Sequence, residues 1–121
     1  MSTSVIRIAA SFGFALAATQ AFAHAELERA TPPAGGTVAS ASEIRLEFSE
    51  GVEARFSSVK LTAANGASVP LGRAKTEAGN AAVLVVPIDK RLPPGVYTVR
   101  WRAVSVDTHH TQGDFQFTVQ P

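Results

Sequence analysis

Residues 92–102 read LPPGVYTVRWR, and this stretch carries the strongest fold signal in the chain. From Tyr97 onward apolar and polar residues alternate, so that Tyr97, Val99 and Trp101 share one face of an extended segment. A period of two predicts a β-strand buried on one side. The Pro-Pro-Gly before it predicts a tight reversal, and a tyrosine just inside the strand can return its hydroxyl to the upstream backbone.

The same alternation recurs on both sides of this stretch. Residues 44–48 and 115–119 alternate in the same way, and the continuous apolar run 81–86 predicts a strand covered on both faces. Shorter candidates are 59–63, 69–71 and a first strand at Leu27, and Asn65-Gly66 predicts a hairpin between the first two. The aromatic core candidates are Phe48, Trp101, Phe115 and Phe117. About seven short strands with no helical period predict an all-β fold, an immunoglobulin-like antiparallel β-sandwich of Greek-key type.

The first residues have the pattern of a cleavable secretory signal. Residues 1–23 hold one basic residue, Arg7, then an apolar stretch, then Ala-Phe-Ala at 21–23 in the small-x-small pattern of a cleavage site. The apolar stretch is interrupted and shorter than the roughly 20 residues of a membrane span. We therefore predict export to the periplasm, a mature chain that begins at His24, and one domain over residues 24–121.

The composition excludes several classes of function. The chain has no cysteine, which removes thiolate metal sites and disulfides. Its 11 basic residues nearly balance its 10 acidic residues, which gives no support to nucleic acid or a polybasic membrane surface as a partner. No nucleophile triad, paired catalytic carboxylates or phosphate-binding glycine loop is present in the sequence.

Three histidines occur in the chain, and the first is His24. Cleavage before His24 would free an α-amine beside an imidazole, and the amine nitrogen and ring Nδ1 could then close a six-membered chelate on one metal ion. The other two histidines, His109 and His110, follow Asp107. If that segment is extended, Asp107 and His109 leave the same face and can bind the same ion, whereas His110 points the other way.

This donor set contains nitrogen and oxygen only. It suits Cu(II), which prefers tetragonal geometry, with Zn(II) as the main competitor. The alternative interpretation is a turn in which Asp107 caps backbone amides and the histidines are solvated.

Five segments carry a family resemblance, and together they span the mature chain: His24-Ala25-x-Leu27-x-x-x-x-Pro32, Phe48-Ser49-Glu50, Leu92-x-x-Gly95-x-Tyr97-x-Val99-x-Trp101-Arg102, Val104-Ser105-x-Asp107-x-His109 and Gly113-x-Phe115-x-Phe117-x-Val119. The chain resembles the CopC family of periplasmic copper-resistance proteins. The resemblance implies a β-sandwich with Cu(II) at one end, held by the mature amino terminus and its histidine, an aspartate and a second histidine. Those positions match His24, Asp107 and His109.

Other positions are left open by the resemblance. Glu50 matches a glutamate that acts as a weak ligand or hydrogen-bond partner, although an ordinary strand-end carboxylate fits equally well. Many relatives read Asp-Gly-His-Pro, whereas Thr108 and His110 replace the glycine and proline here. His110 is therefore an alternative ligand, with His109 favoured on spacing. The only methionine is Met1, so no methionine Cu(I) site is expected.

The leading functional prediction is a periplasmic Cu(II) carrier or buffer without enzymatic activity. The resemblance implies delivery to a CopD-like inner-membrane transporter, and a monomer is expected. One alternative is a copper-dependent oxidative enzyme, because an amino-terminal histidine plus another histidine is similar to the histidine brace of polysaccharide monooxygenases. Asp107 argues against it, because a carboxylate ligand stabilises Cu(II) against reduction. A metal-free immunoglobulin-like structural module is the other alternative.

Overall fold

The structure, a computed structural model, describes residues 25–121. The predicted signal, 1–23, and His24 lie outside the described residues. The strands in chain order are β1 (Leu27–Thr31), β2 (Thr37–Val38), β3 (Glu43–Phe48), β4 (Ser58–Ala63), β5 (Ser68–Val69), β6 (Lys75–Glu77), β7 (Asn80–Pro87), β8 (Gly95–Val104) and β9 (His110–Val119), and one 3₁₀ turn covers Ala54–Phe56. Residues 25–121 contain no helix that could span a bilayer.

The strands form two sheets. The four-stranded sheet has the order β1-β3-β7-β6, and the five-stranded sheet has the order β2-β9-β8-β4-β5. Every pairing is antiparallel except that of β2 with β9. The predicted all-β antiparallel sandwich is confirmed. Seven strands have three or more residues, and β2 and β5 add two residues each.

Two strands were not predicted from the sequence, and both lie at sheet edges. β2 has two residues, and β6 reads Lys-Thr-Glu without an apolar alternation. Edge strands pack little side-chain surface and need no apolar pattern. The predicted strand 69–71 also ends early, at Val69. Pro70 has no N–H for the ladder, and Leu71 forms an isolated bridge with Ile88 instead.

The core lies between the two sheets. Phe48 of β3 and Trp101 of β8 meet edge to face, with ring centroids 5.3 Å apart. Phe117 is fully buried as predicted, whereas Phe115 is only partly buried against the same cluster. Gly113 lies opposite Trp101 in the ladder, and a Cβ built there would stand 2.8 Å from the indole Cζ2. Glycine at this position therefore leaves the space that the indole ring of Trp101 occupies beside β9.

The hairpin of β8 and β9 positions the candidate site. Its ladder runs without a break from the pair Gly95–Val119 to the pair Val104–His110. At its far end the Tyr97 hydroxyl donates a hydrogen bond of 2.6 Å to the carbonyl of Pro93, which is the predicted tyrosine corner. The near end is the turn that contains Asp107 and His109.

The predicted Asn65-Gly66 hairpin is also present. β4 and β5 pair antiparallel across it, and Gly66 has φ 87°, a conformation that glycine adopts without strain. The amide of Ala67 donates to Asn65 Oδ1 at 2.9 Å, a local hydrogen bond that closes the turn.

Candidate metal centre

The turn between β8 and β9 is short and closed by backbone hydrogen bonds. Ser105 N donates to His109 O at 2.9 Å, and Thr108 N donates to Ser105 O at 2.8 Å. Residues 106–108 therefore make the reversal, with Thr108 in the left-handed region at φ 69°. Three-residue hairpin loops use that conformation at their last position, and glycine is the usual residue there. Thr108 occupies a glycine position with a β-branched side chain.

Asp107 and His109 meet in this turn. His109 Nδ1 lies 3.1 Å from Asp107 Oδ1, and the two side chains are 50% and 42% exposed. The premise that the segment is extended is wrong, because the chain reverses between them. The reversal of the backbone, and not an extended strand, places the two side chains side by side. Two ligand atoms that each lie ~2 Å from one metal ion, at a right angle, are ~2.8 Å apart. The 3.1 Å between His109 Nδ1 and Asp107 Oδ1 is close to this distance.

The surroundings of Asp107 favour the ionised form of its carboxyl group. The Ser105 hydroxyl donates a hydrogen bond to Asp107 Oδ1 and lowers the pKa of the carboxyl group. Partial desolvation raises this pKa, and the hydrogen bonds from His109 lower it again. Because a carboxylate has only acceptor atoms, His109 Nδ1 is the donor in this contact. A metal ion that bound both atoms would replace the donated proton.

Asp107 also faces the backbone. Its Oδ1 lies 3.4 Å from the amide nitrogen of His109, a long contact of the kind the turn-capping alternative requires. The capping contact and the contact with the imidazole occur together, so the turn geometry does not compete with the metal-binding interpretation.

His110 lies apart from this pair, at the start of β9 and opposite Val104. Its Nδ1 stands 3.1 Å from Arg102 Nη2. Because arginine has only donors, His110 Nδ1 is the acceptor in this hydrogen bond. Thr111, the next residue, turns to the opposite side of the strand, where its hydroxyl donates a hydrogen bond to Ala25 O.

Glu50 lies between two backbone contacts at the same end of the sandwich. Ser49 N donates to Glu26 O at 2.8 Å, and Val106 N donates to Gly51 O at 3.1 Å. Glu50 Oε2 is buried and has no hydrogen-bond partner among the described residues. A buried carboxylate oxygen without a partner is costly, which indicates a ligand or donor from outside this part of the chain.

Ala25, the first described residue, is held by hydrogen bonds near the same turn. Ala25 is 0% exposed, and its carbonyl accepts a 2.8 Å hydrogen bond from Thr111 Oγ1. Glu26 N donates to Ser49 Oγ at 2.8 Å. Ala25 is therefore held by Thr111, the second residue of β9 and two residues after His109.

The structure brings together two of the predicted site residues, Asp107 and His109. Across residues 25–121, no group of three or more histidine, cysteine, aspartate and glutamate side chains is close enough to hold a metal ion. Sequence reasoning did not assign a role to Ser105 or Thr111. A hydroxyl two residues before an aspartate was the one available signal for Ser105.

A two-sheet sandwich with a carboxylate and an imidazole paired in its last hairpin defines a small all-β domain with a candidate metal site at one end. The chain belongs to the CopC family. The family's domain, described as the CopC domain, matches residues 27–120. The predicted family is thereby confirmed.

Three relatives illustrate the match. The protein YobA of Escherichia coli strain K12 is 41% identical over 100 residues, which cover 82% of this chain and 81% of YobA. A crystal structure of PcoC, a methionine-rich copper resistance protein from Escherichia coli, is 36% identical with a TM-score of 0.74, covering 81% of this chain and 100% of PcoC. The copper transport protein CutJ of Bacillus subtilis strain 168 is 32% identical over 81% of this chain and 18% of CutJ. The latter two are named for copper resistance or copper transport and not for an enzymatic activity, in agreement with the predicted non-enzymatic role.

Proposed function

We propose that the chain is a periplasmic Cu(II) carrier or buffer, with the ion held by His24, Asp107 and His109. The observation that carries the proposal is the 3.1 Å approach of His109 Nδ1 to Asp107 Oδ1 at the end of the sandwich where the chain enters the fold. The copper-resistance names of the relatives support copper as the ion.

His24 supplies the other two donors in this proposal. It is bonded to Ala25, whose carbonyl is held by Thr111 Oγ1 at 2.8 Å. Consecutive Cα atoms are ~3.8 Å apart, so the mature amino terminus starts one peptide unit from that anchor. The α-amine and the imidazole of His24 then add two nitrogens to the nitrogen and oxygen of the hairpin pair. Three nitrogens and one oxygen suit a tetragonal Cu(II) ion.

Glu50 has a supporting role in the proposal. Its buried Oε2 lacks a partner within the described residues, and its neighbours contact both Glu26 and Val106. We propose that this oxygen accepts a hydrogen bond from the amino-terminal amine, or that it is a weak additional ligand of the copper ion. Either role would satisfy the buried oxygen.

The ligand chemistry favours the oxidised copper ion. Thioether ligands select Cu(I), and the only methionine in the chain is Met1, which the predicted cleavage removes. PcoC, by contrast, is described as methionine-rich. Zn(II) binds the same donor types and is the competitor to measure.

Delivery to a membrane partner is the last part of the proposal. The matched region is 18% of CutJ, a copper transport protein, so a domain of this kind occurs inside a larger protein of copper transport. We propose that this chain delivers copper to a CopD-like inner-membrane transporter and acts as a monomer. Three of the four edge strands, β2, β5 and β6, have two or three residues, which limits edge-to-edge pairing between copies.

The test compares two matched pairs of variants in the mature protein. Asp107→Asn and His109→Gln should each weaken Cu(II) binding, measured by competition with a chelator, and should change the electron paramagnetic resonance spectrum. Asp114→Asn and His110→Gln are the controls. They alter the same residue types on β9 and should bind as the wild type does.

Two results would contradict the proposal. Wild-type binding in all four variants would remove the hairpin pair from the site. Loss of binding in His110→Gln with retention in His109→Gln would transfer the ligand role to the other histidine.

A further inference from the structure

A buried serine lies directly against both residues of the hairpin pair. Ser105 is 0% exposed and is the one polar residue in the fully buried class across residues 25–121. Its hydroxyl contacts Asp107 Oδ1, and His109 N donates to it at 3.2 Å. His109 O lies 3.3 Å from the same hydroxyl oxygen.

The single hydroxyl proton can serve only one of these acceptors. A carboxylate is a stronger acceptor than a carbonyl, and both Asp107 Oδ1 and His109 O lie within hydrogen-bond reach of this hydroxyl. The proton therefore goes to Asp107, and a lone pair of the same oxygen accepts the amide of His109. The hydroxyl joins the carboxylate of one proposed ligand to the backbone of the other.

The backbone of Ser105 is held by more contacts than the side chains of Asp107 and His109. It forms an antiparallel bridge with Val52, and its amide donates to His109 O. Asp107 and His109 lie on an exposed turn, where side chains keep rotamer freedom unless a contact removes it.

We propose that Ser105 is a positioning residue of the metal site, which holds the Asp107 carboxylate beside the His109 imidazole before the ion arrives. The inference rests on the proposed function, because it assigns a role within that same site. Groups that hydrogen-bond to metal ligands fix the orientation of those ligands and tune affinity, and their loss costs about 10- to 100-fold in metal binding.

The chain offers a matched control in Ser57. Its hydroxyl accepts from Val104 N at 3.0 Å and donates to Glu53 O at 2.8 Å, so it also ties β8 to a neighbouring segment. Neither contact involves Asp107 or His109. A purely structural role for Ser105 predicts the same behaviour for Ser57→Ala and Ser105→Ala.

The experiment measures Cu(II) affinity by chelator competition, the copper hyperfine splitting by electron paramagnetic resonance, and the Tm of the copper-free protein. Ser105→Ala should raise the Kd about 10-fold or more and shift the hyperfine splitting. Ser57→Ala should lower Tm but leave the Kd and the spectrum at wild-type values.

The inference is overturned if Ser105→Ala binds as the wild type does, or if Ser57→Ala changes Kd and spectrum equally. Both results presuppose a wild type that binds Cu(II) through Asp107 and His109, so they leave the proposed function standing. If the wild type does not bind Cu(II), the proposed function fails and the inference fails with it.

A second measurement applies if Ser105→Ala does not fold. In wild-type protein loaded with diamagnetic Zn(II), the Ser105 hydroxyl proton should exchange with solvent more slowly than that of Ser57, which is partly buried and donates to a backbone carbonyl. Equal exchange rates would show that the hydroxyl does not hold the carboxylate in the metal-bound state.

Discussion

Replacing Thr108 by glycine should stabilise the copper-free protein. Thr108 has φ 69° in the turn that carries the hairpin pair. A non-glycine residue held in this region costs about 1–3 kcal/mol, and a β-branched residue is least suited to it. The Thr108 hydroxyl donates to Asp107 O at 2.5 Å on the exposed side of the turn, where water can replace it at little cost.

Glycine also lowers the free energy of unfolding by about 0.5–1 kcal/mol, because it gives the unfolded chain more conformational freedom. The balance is a gain of about 1 kcal/mol, which corresponds to a rise in Tm of roughly 4–8 °C in a domain of this size. The assay is urea denaturation followed by the fluorescence of Trp101, the only tryptophan in the chain. Thr98→Gly, in the middle of β8, is the control and should destabilise by about 1 kcal/mol. Equal destabilisation by both substitutions would refute the assignment of strain to Thr108.

Three further predictions concern the hairpin and its turn. Tyr97→Phe removes the hydrogen bond to Pro93 O and should lower the free energy of unfolding by about 1–3 kcal/mol in urea denaturation. Gly113→Ala places a Cβ 2.8 Å from Trp101, and should cost about 1–3 kcal/mol and shift the tryptophan emission. The pKa of Asp107 is lower in the folded protein, so its contribution to stability is present above the unfolded pKa and is lost as pH falls through the folded value. Asp107→Asn should therefore show a weaker fall in Tm between pH 5 and 3 than the wild type; identical curves would contradict the pKa shift.

The alternating segments were predictable because their pattern follows directly from burial. In β3, Ile44, Leu46 and Phe48 are buried and the residues between them are not. β6 could not be found in this way, because its pairing with β7 supplies its hydrogen bonds and it adds little to the core. Gly79, with φ 79°, lies in the turn between β6 and β7. A glycine at this place in the sequence could have indicated the turn.

The candidate site was predictable in composition but not in geometry. The types and spacing of Asp107 and His109 indicated a shared ion on the premise that the segment is extended. The ladder ends at the pair of Val104 with His110, so the segment reverses instead. The sequence also could not reveal that Ser105 is buried under the pair, because a serine two residues before an aspartate occurs in many solvent-exposed turns.

The contribution of the mature amino terminus to the copper site is the central claim, and one titration tests it most directly. Cu(II) is added to the exported protein that begins at His24 and to the same protein with an acetylated amino terminus, and electron paramagnetic resonance is recorded for both. Acetylation removes the amine as a donor without altering the fold of residues 25–121. We predict one tightly bound Cu(II) with a nitrogen-rich tetragonal spectrum in the first protein, and weaker binding with a changed spectrum in the second. Identical affinities and spectra, or a mature chain that does not begin at His24, would contradict the proposed chelate.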